Sequence, residues 1–257
     1  MCGSIDRIKW SEPGAMALAQ QSHFFESTRF APATSERVRR DVVEGLRLMN
    51  AGTEKNEETG DTRREIGEAG LDVLFREARS YNGYLDRPVD DALLRQIWLL
   101  ASLGPTSANM SPARIVWCRS RGARERLAKL ASAANARKIL QAPVTAIIGM
   151  DMKFADKLPF LFPHVDARSW FTGSDEIITV NALRNSTLQG AYLIMAARAL
   201  GIDTGPMSGF DNEAVDVAFF SGTSVKSNFI TTLGYGDPAS LFPRLPRLPF
   251  EEATWTL

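Results

Sequence analysis

Three arginines are the side chains in this sequence best suited to bind a phosphate group. Arg79 follows a predicted helix, and Arg244 and Arg247 lie in a tail rich in proline and arginine. Arginine donates two parallel hydrogen bonds to one phosphate, so a convergent set of these residues could hold a phosphomonoester. Considered singly, each arginine is more commonly a solvated surface charge.

Two loops could present polar groups to a flat ligand. Residues 104–112 follow an apolar helix and place hydroxyl and amide groups on a frame stiffened by proline. Residues 205–211 are predicted to turn between a strand and a helix capped by Asp211, and their glycines allow backbone N–H groups to approach a ligand closely. Either loop could also be an ordinary connection. Ser208 is not predicted to be a nucleophile, because no base lies near it in the sequence.

Several other kinds of site are disfavoured. The 257 residues include two histidines, too few for most zinc sites and for most Ser-His-Asp arrangements. The stretch GYGDPA at 234–239 fits a loose dinucleotide fingerprint, but Pro238 and an irregular tail stand where a phosphate-binding helix should begin. We therefore reject a Rossmann site. The formal net charge of zero gives no reason to expect nucleic acid or an anionic membrane as a partner.

The compartment predicted from the sequence is the cytoplasm. Of the two cysteines, Cys118 lies in an apolar run and is interpreted as a buried thiol, which favours a reducing environment. The first residues lack the apolar stretch of a signal peptide, and no apolar run approaches the roughly 20 residues that span a bilayer.

Hydrophobic periodicity predicts helices that alternate with a few strands, which is typical of an α/β or α+β layered domain. Asp90 is a plausible N-cap for the second helix. Gly201 is a plausible C-cap at the end of the longest helix. The predicted helices lie near residues 71–78, 90–103, 121–133, 176–200 and 211–220, and the predicted strands near residues 114–119, 143–150 and 227–235. The tail, residues 237–257, is predicted to be irregular.

Residues 1–68 differ in character from residues 69–257, which we predict to form the globular domain. Residues 54–68 are dense in charge, glycine and threonine, which is typical of a mobile linker. Residues 36–48 could form one amphipathic helix. Three interpretations stay open: a poorly ordered extension, a translation start at Met49, or a segment that binds a partner.

Nine short stretches, taken in order, resemble the flavin-dependent nitroreductase family, and within it the malonic semialdehyde reductases of the Rut pathway. Each stretch is weak alone, but nine in order along residues 69–257 are specific. The stretches are GPTSAN at 104–109, SPAR at 111–114, APVTA at 142–146, LFPH at 161–164, DARSWF at 166–171, GPMSGFD at 205–211, KSN at 226–228, GYGD at 234–237 and RLPRL at 244–248.

The resemblance implies an α+β, nitroreductase-like fold: a central, mostly antiparallel sheet flanked by helices, in an interlocked homodimer with FMN in two interface sites. It implies four sets of FMN contacts. They are Arg79, Ser80 and Asn82 in the first flavin-binding segment; Thr106, Ser107 and Asn109 in a loop donated by the other subunit; Asn135 and Lys138 at the pyrimidine edge; and Pro206, Met207, Ser208 and Gly209 over the flavin centre. Arg244 and Arg247 correspond to the phosphate-binding tail. Two departures affect single contacts: Ser208 replaces a common Glu, and Leu245 a common Lys.

The activity implied by the resemblance is FMN-dependent reduction of malonic semialdehyde to 3-hydroxypropionate in pyrimidine degradation, with NADH or NADPH as co-substrate and ping-pong kinetics. An aldehyde acid needs a cation for its carboxylate and a donor for its carbonyl, and His164 and Arg168 are the candidates. Trp170 and Phe171 could gate the flavin face. The alternatives are a broad-specificity nitroreductase or quinone reductase, and a flavin-binding protein without turnover.

Overall fold

The computed structural model describes residues 65–257. The amphipathic helix predicted at residues 36–48 and most of the predicted extension, residues 1–64, lie outside the described residues. In the described part the helices are α1 (Glu68–Leu71, continued by a π-helical turn, Asp72–Arg76), α2 (Asp91–Ala101), α3 (Arg121–Ala128), α4 (Ala133–Gln141), α5 (Leu158–Leu161), α6 (Asp175–Ala199), α7 (Asn212–Phe219) and α8 (Phe250–Ala253). The strands are β1 (Ala113–Cys118), β2 (Val144–Asp151), β3 (Asp203–Met207) and β4 (Val225–Gly234).

The four strands form one antiparallel sheet in the order β1-β2-β4-β3. The central strand β2 is buried along nearly its whole length, which explains its mostly apolar sequence. A β-bulge interrupts its pairing with β4 between Ile148 and Gly149. The predicted antiparallel sheet flanked by helices is therefore confirmed.

Helices cover both faces of the sheet. On one face α2 and α6 pack against Val144, Ala146 and Ile148 of β2. On the other face α3, α4 and α7 pack against Ile147 and against Cys118, which is fully buried. The prediction of a buried core thiol is therefore confirmed, and this burial raises the pKa of the Cys118 thiol to about 12.

Local capping signals account for several helix boundaries. The Asp90 carboxylate accepts a hydrogen bond from Leu93 N at 2.7 Å and so begins α2. The Asp211 carboxylate accepts from Ala214 N at 3.0 Å and begins α7 in the same way. Gly201 adopts a positive φ of 74° directly after α6, which confirms its predicted role in ending that helix.

Three predictions of local structure differ from the structure. The helix predicted at residues 121–133 ends at Ala128, and helix α4, which was not predicted, begins at Ala133. The chain leaves helical conformation between them because Ala131 pairs with Phe210 and Ser132 N donates to Gly209 O. The tail predicted to be irregular contains the short helix α8, whose first turn carries two glutamates, as suits a helix N-terminus. The turn predicted at residues 205–211 begins later, since Gly205 to Met207 belong to strand β3. Residue 206 is a proline, and β3 is an edge strand, where a missing N–H costs little.

Candidate active site

Two segments far apart in sequence hold each other through arginine side chains. We call residues 76–83 and 237–244 together the clasp. Arg79 donates from Nη2 to the carbonyl of Phe242. Arg244 reaches the opposite way and donates to the carbonyls of Arg76 at 2.6 Å and Ala78 at 3.2 Å. The structure thus brings Arg79 and Arg244 together, as a shared phosphate site would require.

The remaining predicted residues of this region have different surroundings. Asn82 joins the clasp by donating to Ser240 O at 3.3 Å. Ser80 is exposed and its backbone pairs with Thr204 of β3. Arg247 donates only to neighbouring carbonyls of its own tail, at 3.0 and 3.1 Å. Among the described contacts, none brings Arg247 to the other two arginines.

The clasp is continuous with strand β3. Tyr81 N donates to Thr204 O at 3.1 Å. The next residue of the strand has to be glycine, because a Cβ on Gly205 would lie 2.6 Å from both the carbonyl oxygen of Tyr81 and the hydroxyl of Thr232. This close approach holds the segment that contains Ser80 and Asn82 against strand β3, next to Pro206.

Two half-buried polar groups next to the clasp, Tyr84 and Asp203, have shifted pKa values. Burial raises the pKa of the Tyr84 hydroxyl, which lies 2.7 Å from the hydroxyl of Thr232. Burial also raises the pKa of the Asp203 carboxyl, although Gly236 N donates to it at 2.9 Å. The tyrosine is therefore neutral at physiological pH and acts as a hydrogen-bonding group.

The turn after β3 is fastened to helix α4. Asn135 Nδ2 and Ser132 N both donate to Gly209 O, each at 3.0 Å. A Cβ on Gly209 would lie 2.8 Å from Asn135 Nδ2, so this turn accommodates glycine best. Lys138 lies three residues after Asn135 and is half-buried, which places both side chains on one face of α4.

The four predicted residues of the turn differ in exposure. Pro206, Ser208 and Gly209 are exposed, so a ligand could reach them. Met207 is half-buried and packs against the core beside α3, α4 and α7. Exposed backbone next to a fixed Asn–Lys pair forms a surface able to receive a flat polar ligand.

The third group of predicted residues lies in the loop between α2 and β1. The hydroxyl of Thr106 accepts a hydrogen bond from Ser111 N at 3.2 Å. Ser107 N donates to the Asn185 side chain at 2.8 Å, and Asn109 Nδ2 donates to Leu161 O at 2.9 Å. This loop is thus attached to helix α6 and to the segment that follows β2, and not to the clasp.

The residues predicted to bind a substrate lie on that same segment. His164 is exposed and packs edge to face on the ring of Phe162, with ring centroids 5.5 Å apart. Arg168 donates to Asp156 at 2.8 Å in an ion pair whose side chains are 55% and 51% exposed. Because Leu161 accepts a hydrogen bond from Asn109, His164 follows a segment fixed to the loop at residues 104–112.

The two aromatic residues proposed as a gate differ from each other. Trp170 is 56% exposed and could contact a ligand. Phe171 is 7% exposed and packs edge to face on Phe154 at 5.3 Å within a core cluster. The prediction that Phe171 gates a ligand face is therefore wrong, because its ring is a core side chain.

The structure also identifies residues that the sequence did not single out. Asn185 and Gln189 of α6 are 4% and 3% exposed, and each accepts a backbone N–H from outside its helix. Arg114 of β1 forms an ion pair with the buried Asp151 of β2 at 2.7 Å. The available signal was the presence of amides inside a long helical pattern, where they are costly unless they are partnered.

Metal and membrane sites are not found in the described part of the chain. Over residues 65–257 no group of His, Cys, Asp and Glu side chains is arranged to hold a metal ion. No helix in the same range combines the length and apolar character needed to cross a membrane.

The predicted site residues thus form two groups in one chain. The first joins the clasp to the turn after β3 through the pairing of Ser80 with Thr204. The second joins the loop at residues 104–112 to α5 and to the segment that carries His164 and Arg168. No described hydrogen bond joins the two groups.

This chain belongs to the nitroreductase family. Residues 75–235 match that family, which is more than half of the chain. Its fold agrees with that membership, and the predicted nitroreductase-like fold is confirmed.

Close relatives come from two bacteria. A protein of Burkholderia lata, named provisionally as an NADH dehydrogenase/NAD(P)H nitroreductase, is 58% identical over 187 residues, which is 73% of this chain and 96% of the relative. A Stenotrophomonas maltophilia protein with the same provisional name is 60% identical over 185 residues, which is 72% of this chain and 94% of the relative.

Solved structures share the fold at low sequence identity. A nitroreductase family protein from Streptococcus pneumoniae gives a TM-score of 0.63 at 22% identity, with 72% of this chain and 98% of that chain covered. A protein from Exiguobacterium sibiricum, described provisionally as a nitroreductase and solved in complex with FMN, gives 0.66 at 22% identity, with 77% and 100% covered.

Proposed function

We propose that this protein reduces malonic semialdehyde to 3-hydroxypropionate in pyrimidine degradation, as a cytoplasmic homodimer. The observation that carries the proposal is the position of His164 and Arg168. They follow Leu161, whose carbonyl is bound by Asn109 of the predicted flavin loop. A cation and a hydrogen-bond donor therefore lie on a segment bound to the loop that is predicted to contact the flavin.

The enzyme class follows from family membership. The protein is an FMN-dependent NAD(P)H oxidoreductase, as the sequence resemblance implied. This makes the alternative of a flavin-binding protein without turnover the least favoured of those considered. Family membership establishes this class of enzyme, and the substrate is the subject of the proposal above.

The side chains present have the chemistry that FMN requires. Arg79 and Arg244 lie together at the clasp and would hold the phosphate by paired hydrogen bonds. Asn135 and Lys138, on one face of α4, would meet the oxygens and nitrogens of the pyrimidine edge. Thr106 and the rest of its loop would add contacts from the other subunit.

When bound, FMN supplies the transfer of hydride from NAD(P)H to a second substrate. The chain supplies orientation and charge. Lys138 would place a positive charge beside the pyrimidine edge, and the exposed backbone near Ser208 and Gly209 would offer hydrogen bonds over the ring centre. The carbonyl oxygen of the reduced aldehyde needs a proton, which His164 would provide in this proposal.

Arg168 is suited to bind the substrate carboxylate. Its present partner, Asp156, is half exposed, and an exposed ion pair stabilises a protein by only about 0–1 kcal/mol. A substrate carboxylate could therefore replace Asp156 at little energetic cost. A nitroaromatic compound carries no carboxylate in the same place and should depend less on this guanidinium.

A homodimer would unite the two groups of site residues. Helix α6 exposes large side chains that a second subunit could cover, namely Leu183 at 43%, Leu188 at 48% and Tyr192 at 42%. In such a dimer one protomer would contribute the clasp and the α4 contacts to an FMN. Its partner would contribute the loop at residues 104–112 together with the segment that carries His164.

Activity of His164→Ala and Arg168→Ala on malonic semialdehyde and on a nitroaromatic tests the proposal. We expect both variants to lose activity on the aldehyde acid, by about tenfold or more for each lost charge-assisted contact, and to retain most nitroreduction. Equal losses on both substrates would refute the specific role. Asp156→Asn is the control, because it frees Arg168 and should not impair the aldehyde reaction.

A spectroscopic titration separates the enzyme class from the substrate. Anaerobic addition of NADH or NADPH should bleach the flavin absorption band, and malonic semialdehyde should restore it. If the band bleaches and only quinones or nitroaromatics restore it, the function is the broad-specificity reductase, which the provisional names of the relatives also favour.

A further inference from the structure

The loop between α2 and β1 has an unusual backbone. Three residues that are not glycine adopt left-handed conformations: Ala108 with φ 46°, Asn109 with φ 49° and Ser111 with φ 40°. Side chains disfavour this region, so such conformations persist only where the surrounding structure imposes them. The residues that impose this path should therefore be identifiable around the loop.

Two amide side chains of helix α6 hold the two ends of the loop. Asn185 Oδ1 accepts a hydrogen bond from Ser107 N at 2.8 Å. Gln189 Oε1 accepts one from Ala113 N, also at 2.8 Å. The two amides are four residues apart, hence one helical turn apart on the same face. Both are nearly fully buried, at 4% and 3% exposure.

An ion pair holds the loop from the opposite side. Arg114 donates to the carbonyl of Ser111 at 3.0 Å and to Asp151 at 2.7 Å. The Asp151 carboxylate is itself fixed, because it also accepts from Ser224 Oγ at 2.6 Å and Lys153 N at 2.9 Å. The strained residues thus lie between a buried pair of amides and a rigid strand.

Packing alone does not require the amides on α6. A buried amide is unfavourable unless hydrogen bonds replace its lost hydration, and an apolar residue would fill the same space. Asn181, one turn earlier, donates to Ile177 O of its own helix at 2.9 Å, and Asn185 donates to Asn181 O in the same way and at the same distance. The difference lies in the side-chain oxygens, because that of Asn185 also accepts an N–H from outside the helix. Asn185 and Gln189 therefore direct their acceptors at the ends of one loop.

We propose that Asn185 and Gln189 are positioning residues for FMN, which fix the loop from Ser107 to Ala113 in its left-handed path before the cofactor binds. A loop ordered in advance binds more tightly, because no conformational freedom is lost on binding. The proposal rests on the assignment of this loop to the flavin site. It does not depend on which substrate is reduced.

The test compares Asn185→Leu and Gln189→Leu with Asn181→Leu in the full-length protein. The measurements are the FMN dissociation constant of the apoprotein by fluorescence titration and amide hydrogen exchange at Ser107 and Ala113. We expect each clamp variant to weaken FMN binding about tenfold or more, the loss for one ordered contact of about 1.4 kcal/mol. Exchange should accelerate at the loop amides while the protected sheet amides keep their rates. Asn181→Leu should bind FMN within twofold of the unmodified protein.

Two results would overturn the proposal. Faster exchange at Ser107 with unchanged FMN affinity would show that the loop is clamped but does not serve the cofactor. Uniformly faster exchange through α6 and β1, with a lower melting temperature and unchanged affinity, would show a purely structural role. Asn185→Ala, which adds no volume, replaces Asn185→Leu if that variant does not fold. Neither readout uses an aldehyde, so a failure to reduce malonic semialdehyde would leave this result intact.

Discussion

The clasp and the loop between α2 and β1 are both expected to contact FMN, yet they are built in opposite ways. The clasp joins two segments more than 150 residues apart, and its arginine bonds to carbonyls are exposed. The loop is held by side chains that are almost completely buried. Exposed arginines can exchange a carbonyl for a phosphate, whereas a buried clamp keeps one conformation with or without ligand.

This difference predicts which residues affect mainly ligand affinity and which also affect the stability of the fold. Loss of an exposed hydrogen-bonding arginine should mainly affect what it binds, since surface interactions contribute little to folding. Loss of a buried, partnered group should lower the stability of the fold in addition to any effect on binding, because its partner is left without a replacement for water. Four changes to the chain test this division, in order of expected effect.

The largest effect is expected from the carboxylate behind the loop. Asp151→Ala should lower the free energy of unfolding by about 3 kcal/mol, since it leaves Arg114 without its buried partner. Urea unfolding measures this change. Asp156→Ala removes the partner of an exposed arginine and should cost about 1 kcal/mol or less. Equal losses would mean that burial does not distinguish the two ion pairs.

Next in size is a change at the contact between the clasp and β3. Gly205→Ala places a methyl group 2.6 Å from the backbone carbonyl of Tyr81 and should cost about 2 kcal/mol by overpacking. Gly122→Ala is the matched control, because no atom lies within 4 Å of the added methyl group. Denaturant titration of both variants should show destabilisation at position 205 alone.

A third change acts on the exposed arginines. Arg79→Lys keeps the charge but removes the planar fork, so FMN affinity should fall about tenfold, which corresponds to 1.4 kcal/mol. The unfolding curve should hardly move. Arg76→Lys is the control, because that side chain pairs with Glu68 and Asp72 outside the proposed phosphate site. Similar affinity losses in both variants would indicate a general effect of charge geometry.

The smallest expected effect is a pH dependence beneath the clasp. The folded-state pKa of Asp203 is raised by burial, so the folded protein binds the proton more tightly than the unfolded chain. The stability that this carboxyl contributes is complete below the usual aspartate pKa and is lost as pH rises through the raised value. Asp203→Asn should therefore flatten the fall of unfolding free energy across that interval. A slope identical to that of the unmodified protein would contradict the prediction.

The success of the sequence-based predictions varied with how local their signals were. Asp90, Asp211 and Gly201 set helix ends through bonds that span a few residues, and all three positions were predicted. The break between α3 and α4 was missed because it depends on Ala131 pairing with Phe210, which lies far away in sequence. Phe171 was misassigned for the same reason, since only its packing on Phe154 shows that it is a core residue.

From the sequence, periodicity predicted an α/β or α+β layered domain. The resemblance carried by the ordered motifs implied the antiparallel fold, the family and the candidate flavin contacts, and those contacts stay predictions. Periodicity, capping and ordered motifs are properties of short segments, and they survive without knowledge of the fold. The tertiary structure alone decided which of these residues meet. It bound Arg79 to the carbonyl of Phe242 in the tail, whereas Arg247 of the same tail contacts only its own neighbours. It also directed Asn185 and Gln189 at one strained loop. Contacts between distant segments depend on how the helices pack on the sheet, and no short stretch of sequence contains that information.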